Sequence, residues 1–317
     1  MRIRFAAQRR PEGIRWLRSN GKPNFSERIR RKEGDAKLIA RRPVYTTTRN
    51  TTIMGVAEDL YRYRVRALPV VVPEIYVVEG MITNMDIVNY LGGGEYYNIV
   101  TKRHKDNIYS ALLKEYVSSI MNPSPQLVYT WSNLLDIVEA MVVNKIGILP
   151  VVDRDGVLWG IISEHDIVQH IAEKHVGRRV EEVMSTNVIA LSRDSSVKKV
   201  SEVMVKYNIR RVPLLEDDTV WGIITAKDIV GFIGSHNVFK YSRSSSLSEV
   251  LDLAASILAS RDIYTVSPNA DVGEAATIMK EKQTSSLFVV EEEKLVGIIT
   301  ERDVLFAIAI TPESGLK

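Results

Sequence analysis

Four times the chain repeats one short constellation: a hydroxyl, two variable residues, a carboxylate. It stands at Thr83-Asn84-Met85-Asp86, Ser163-Glu164-His165-Asp166, Thr225-Ala226-Lys227-Asp228 and Thr300-Glu301-Arg302-Asp303. Glycine and two apolar residues precede each copy, and two apolar residues follow it. A hydroxyl three residues ahead of a carboxylate is a helix-start pattern, the hydroxyl capping the first turn. The carboxylate also suits the positive end of the helix dipole. Just before the aspartate stand His165, Lys227 and Arg302, but Met85 in the first copy. These residues bind better than they react. Ser163 and His165 are two apart and point away from each other on a helix, and no third partner completes a triad. The five histidines are scattered without metal-ligand spacing. No Gly-Lys-Ser/Thr phosphate loop occurs. There is no cysteine, hence no disulfide, thiolate metal site or Cys nucleophile; that suits a reducing cytoplasm.

The elements that must hold these boxes repeat as well. Leu134, Ile137, Val138 and Met141 fall at i, i+3, i+4 and i+7, one face of a helix. Ile53, Val56, Ala57 and Leu60 do the same, as do Val272, Ala275, Ala276 and Met279; Val197, Val200 and Met204 keep the face in the third copy. Short strands are expected before and after each helix, and a further strand runs into the box. The unit is therefore strand–helix–strand–strand–helix, an α/β arrangement. The box glycines stand at 80, 160, 222 and 297. A unit this short buries too little surface to be comfortably stable alone. Units one with two, and three with four, are expected to pair and pack sheet against sheet.

With the boxes and the Leu-Pro-Val-Val and Val-Pro-Leu-Leu strands in register, the chain resembles a protein of four cystathionine-β-synthase (CBS) domains, two tandem Bateman modules expected to pack as a disc. The resemblance covers roughly residues 38–310. It implies repeats at 38–91, 116–172, 179–234 and 247–310, with linkers at 92–115 and 235–246 and a basic extension at 1–37. It implies no catalytic cofactor, and an adenosine nucleotide as regulatory ligand: AMP, ADP, ATP or an S-adenosyl compound. Asp86, Asp166, Asp228 and Asp303 would take ribose hydroxyls, as a carboxylate with two acceptor oxygens can take a cis-diol. Thr83, Ser163, Thr225 and Thr300 would line the cleft beside them. Lys227, Arg302 and His165 would hold phosphate. Two places before the strand proline, Arg211 and Ser286 would also face the ligand; Ala67 and Ile148 hold the same place. The fourth repeat has Phe288 where the others have Pro69, Pro150 and Pro213. Lys227 and Arg302 together favour the more phosphorylated ligand in residues 179–310. Inosine monophosphate dehydrogenase carries such repeats too, but its barrel and Cys nucleophile are missing here. The reading is a non-enzymatic regulator.

Charge supplies the rival reading. Residues 1–37 carry twelve Lys or Arg and four Asp or Glu, while the whole chain is only +3. Phe5, Trp16 and Phe25 are interleaved, so this arm could bind nucleic acid, with the repeats as scaffold. A solvated extension on an acidic body is the blander alternative. Gly92-Gly93-Gly94 reads as a flexible breaker. No apolar run reaches the 18 or so residues that span a bilayer, so no membrane partner is expected. The expected partners are the nucleotide and a protein target, in a monomeric disc or a homodimer.

Overall fold

The computed structural model describes residues 33–171, 176–217, 219–292 and 294–309. Most of the basic arm, and the nucleic-acid reading built on it, lies outside the described residues. A short helix α1 (Asp35–Ile39) opens the described chain. The first repeat holds α2 (Ile53–Arg62), β1 (Ala67–Val71), β2 (Val78–Thr83) and α3 (Asn84–Val88). Two helices follow, α4 (Tyr97–His104) and α5 (Ile108–Leu113). The second repeat is β3 (Val128–Tyr129), α6 (Leu134–Asn144), β4 (Ile148–Val152), β5 (Leu158–Ser163) and α7 (Glu164–Ile171). The third is β6 (Leu191–Ser192), α8 (Val197–Tyr207), β7 (Arg211–Glu216), β8 (Thr219–Thr225) and α9 (Ala226–Gly234). After α10 (Leu247–Leu251) comes the fourth: β9 (Thr265–Val266), α11 (Val272–Glu281), β10 (Ser286–Glu291), β11 (Lys294–Thr300) and α12 (Glu301–Ala309).

The central hairpin of every repeat has one register. Pro69 faces Met81, Pro150 faces Ile161, Pro213 faces Ile223 and Phe288 faces Ile298. The register slips at the same place in each, between Val70/Val71, Val151/Val152, Leu214/Leu215 and Val289/Val290. Phe288 therefore leaves the strand geometry intact, and its N–H donates to the Tyr264 carbonyl at 2.9 Å, a bond proline cannot make. In repeats two to four a third, parallel strand lies beside this hairpin. In the first repeat a lone parallel bridge, Thr47 to Val70, takes that place.

The glycine run is a packed element, not a loose one. A π-helical turn spans Asn89–Gly93, with Tyr90, Leu91, Gly92 and Gly93 buried. A Cβ on Gly93 would sit 2.7 Å from Val205 Cγ2 and 2.8 Å from the Ser201 carbonyl, so only glycine lets α8 approach this closely. The stretch read as a linker continues into α4 and α5, whose Val100, Ile108, Ala111 and Leu112 are buried. Its basic run is anchored: Arg103 and His104 both contact the buried Glu115.

The chain divides into two compact units. Unit 1 is built from Tyr45–Pro125 and Ile189–Asp262 and contains the first and third repeats. Unit 2 contains Gln126–Val188 and the segment from Ile263 onward, with the stretch that ends at Val44, and holds the second and fourth. Chain order pairs one with two and three with four; the compact units group one with three and two with four. The apolar helix faces decide this grouping. In unit 1, α2 packs on α9 so closely that a Cβ on Gly234 would meet the Ala57 carbonyl oxygen at 2.2 Å. One continuous core results, from Ile53 and Leu60 through Val200 and Met204 to Ile229 and Ile233. Unit 2 has two cores, and its helices exchange side chains between them. Val168 of α7 sits in the core of the fourth repeat, while Leu305 and Phe306 of α12 sit in that of the second. Among the described residues no helix is long and apolar enough to cross a membrane.

Candidate functional site

All four boxes fold as helix caps. The backbone N–H and hydroxyl of Thr83 both donate to Asp86 Oδ2 at 2.7 Å. Ser163 does the same to Asp166 Oδ2 at 2.7 Å, and Thr225 to Asp228 Oδ2 at 2.7 Å. Thr300 donates to Asp303 Oδ2 at 2.9 and 2.7 Å. The cap uses only one carboxylate oxygen. In Asp86 and Asp228 the other oxygen, Oδ1, has no hydrogen-bond partner among the described residues. Burial pushes both carboxyls up, Asp86 to about 6, against the lowering effect of the Thr83 and Thr225 bonds. Each is thus a largely desolvated acceptor at the start of a helix. Across the hairpin, Ala67 pairs with Thr83, Ile148 with Ser163, Arg211 with Thr225 and Ser286 with Thr300. The second-from-proline position therefore stands beside the box in register.

In unit 1 a cleft of about 320 Å³ opens at the third box. Lys227 and Asp228 line it from α9, Leu60 and Tyr61 from α2, Asn84 from α3, with Ile257 and Leu258 beside them. Lys227 is the sole cation among these lining side chains, and no carboxylate lies within ion-pair distance of it among the described residues. Asn84 is 5% exposed, and its Oδ1 has no hydrogen-bond partner among the described residues. A buried amide oxygen left without a donor costs about 1–3 kcal/mol, a cost a bound donor would relieve. Sequence reading passed over Asn84 as a variable box residue.

Unit 2 treats the same positions differently. Arg302 Nε donates to Glu164 Oε1 at 2.8 Å, and its Nη2 donates to the Lys145 carbonyl at 2.8 Å. Reciprocally, His165 Nδ1 lies 2.6 Å from Glu301 Oε1. Glu164 and Glu301 are each 2% exposed. The second and fourth boxes thus cross-pair, the acid of each meeting the base of the other. Arg302 and His165, expected to stand open for phosphate, are engaged with protein groups. The signal was present in the sequence, since only these two boxes read Glu-base-Asp where the others read Asn-Met-Asp and Ala-Lys-Asp. Lys227 is the expected phosphate cation that the structure leaves facing a cleft.

Comparison with known proteins agrees with this fold. A family model, the CBS domain, matches residues 35–93, 117–173, 180–235 and 254–310. An uncharacterised 33.4 kDa protein from a ribosomal RNA operon of Thermofilum pendens is 33% identical over 263 residues, 83% of this chain and 87% of that one. The protein MJ1225 of Methanocaldococcus jannaschii is 28% identical over 271 residues, 85% of this chain and 96% of that one. Its crystal structure, described as a candidate archaeal homologue of γ-AMPK, aligns with a TM-score of 0.80 at 27% identity, over 85% of this chain and 98% of that one.

Proposed function

The chain belongs to the CBS-domain family, and on that premise we propose that it is a non-enzymatic regulator that binds an adenosine nucleotide at the unit 1 cleft. The observation that carries the reading is the trio at that cleft: Asp228 with one uncommitted acceptor oxygen, Lys227 beside it, and the buried Asn84 amide. Asp228 takes the ribose hydroxyls, Lys227 takes phosphate, and Ile257 and Leu258 offer an apolar wall to the base. The resemblance of MJ1225 to γ-AMPK supports a nucleotide of this class. With one lining cation the cleft suits a monophosphate better than a triphosphate, because each added phosphate brings charge that no second lining cation meets. Ligand binding shifts the balance between conformations of the repeats, and a protein target reads that shift.

Calorimetry with AMP, ADP, ATP and S-adenosylmethionine tests this. AMP should bind most tightly, and Asp228→Asn should weaken it about tenfold or more while the circular dichroism spectrum stays unchanged. No heat and no thermal stabilisation with any adenosyl compound would refute the reading.

A further inference from the structure

Each box strand acquires a neighbour from a distant segment, always at the residue after the box glycine. Met81 bridges to Asn122, Ile161 to Arg41, Ile223 to Ser260 and Ile298 to Ser185. The four neighbours are equivalent in register and differ in side chain: asparagine, arginine, serine and serine. Only Arg41 is long and charged. Its Nε lies 2.7 Å from Asp166 Oδ1, the oxygen that the cap leaves over. Both oxygens of Asp166 are thereby engaged, Oδ2 by Ser163 and Oδ1 by Arg41.

The segment that carries Arg41 is held in place. Arg41 N–H donates to the Ile161 carbonyl at 2.9 Å, and Ile161 N–H returns a bond to the Arg41 carbonyl at 3.3 Å. A Cβ on Gly160 would sit 2.7 Å from Ala40 Cβ, so the box glycine is what admits this close approach. The Arg42 guanidinium lies 4.2 Å from the Trp159 ring centroid, and Lys37 Nζ lies 4.5 Å from the same ring. In the third repeat the same places hold Ser260 and Arg261. Arg261 stacks on Trp221 at 4.5 Å, while the short, uncharged Ser260 makes no hydrogen bond to Asp228 among the described residues, its hydroxyl accepting instead from Asp262 N–H. The stacked cation is thus common to these two repeats, and the arginine on the aspartate is found in the second and not in the third.

We infer that Arg41 is a built-in occupant of the second box, taking the carboxylate oxygen that a ligand's hydroxyls would otherwise take and so closing this box to nucleosides. The inference rests on the reading of the boxes as adenosine sites. It is a closure that can yield: the Asp166 side chain is 10% exposed, but that of Arg41 is 53% exposed and can swing into water when a ligand takes its place. The second box therefore differs from the third in occupancy, not in the chemistry of its aspartate.

Equilibrium dialysis of the full chain with AMP, and with 5′-methylthioadenosine as a probe without phosphate, tests this. The forms compared are wild type, Arg41→Ser, Arg41→Gln, Asp228→Asn and Arg41→Ser combined with Asp166→Asn, each checked for folding by circular dichroism. Both Arg41 variants should bind one further equivalent of probe per chain than wild type, and adding Asp166→Asn should remove it. Unchanged stoichiometry in a folded Arg41 variant overturns the inference. If Asp228→Asn still lowers binding in that case, the nucleotide reading stands without it. Weaker binding in Arg41→Ser also overturns the inference, because it places the arginine on the ligand. If no form binds either probe, the reading of the boxes as adenosine sites falls, and the closure with it.

Discussion

Replacing Asp86 by asparagine should flatten the pH dependence of folding stability between about pH 4 and pH 6. Burial pushes the Asp86 carboxyl from 3.8 up to about 6, and the donors on Thr83 offset only part of that. The folded state therefore holds the proton more tightly than the unfolded chain does. The contribution of this group is fully present below about pH 4 and is lost as pH rises through about 6. A rise of about two units at 1.36 kcal/mol each amounts to roughly 3 kcal/mol. Asparagine keeps a carbonyl acceptor for the Thr83 N–H and never ionises, so it escapes that loss. Urea denaturation of wild type and Asp86→Asn at pH 4.5, 5.5, 6.5 and 7.5 should show the difference moving in favour of the variant by about 2 kcal/mol, since about a third of the loss is already complete at pH 4.5, then levelling above pH 7. Parallel stability curves for the two proteins over this range would refute the argument, because they would mean that the carboxyl titrates alike in both states.

Lys227→Met should weaken AMP about tenfold and leave 5′-methylthioadenosine unchanged, as calorimetry can show, since only the phosphate is asked to meet the cation. Gly234→Ala should cost about 3 kcal/mol in chemical denaturation, because its methyl would have to displace the Ala57 backbone. Arg302→Met should cost about 3 kcal/mol, and a double-mutant cycle with Glu164→Gln should return a coupling of at least about 1 kcal/mol.

The legible parts of this molecule were the local ones. A hydroxyl and a carboxylate three residues apart find each other within one turn, so the cap could be read four times over from the boxes alone. The helix faces followed from their period: Val197, Val200 and Met204, read as one face, are all buried in α8. What stayed hidden depends on separation along the chain. Arg302 and Glu164 are 138 residues apart, and the Glu-Arg-Asp reading at Arg302 takes on its meaning only once the Glu-His-Asp box is known to stand against it. The grouping of first with third repeat arises from how α2 and α9 fit, with Gly234 against Ala57, a property of two surfaces and not of either helix. Gly92-Gly93-Gly94 misled for the opposite reason: glycine permits both looseness and very close packing, and only the position of Val205 tells which is used.

The bridges from Arg41, Asn122, Ser185 and Ser260 into box strands of other repeats bear on how the protein is made. A ribosome releases the chain from its N-terminus, and a domain folds once its own residues are out. Here the first repeat has emerged long before Asn122 can complete its sheet, and Arg41 must wait for Ile161. Unit 1 is not whole until residue 262 has left the tunnel, and unit 2 needs the segment beyond 263. For most of synthesis the nascent chain therefore carries apolar helix faces whose partners do not yet exist. A polypeptide stopped midway, at residue 180, would hold half of each unit and the whole of neither.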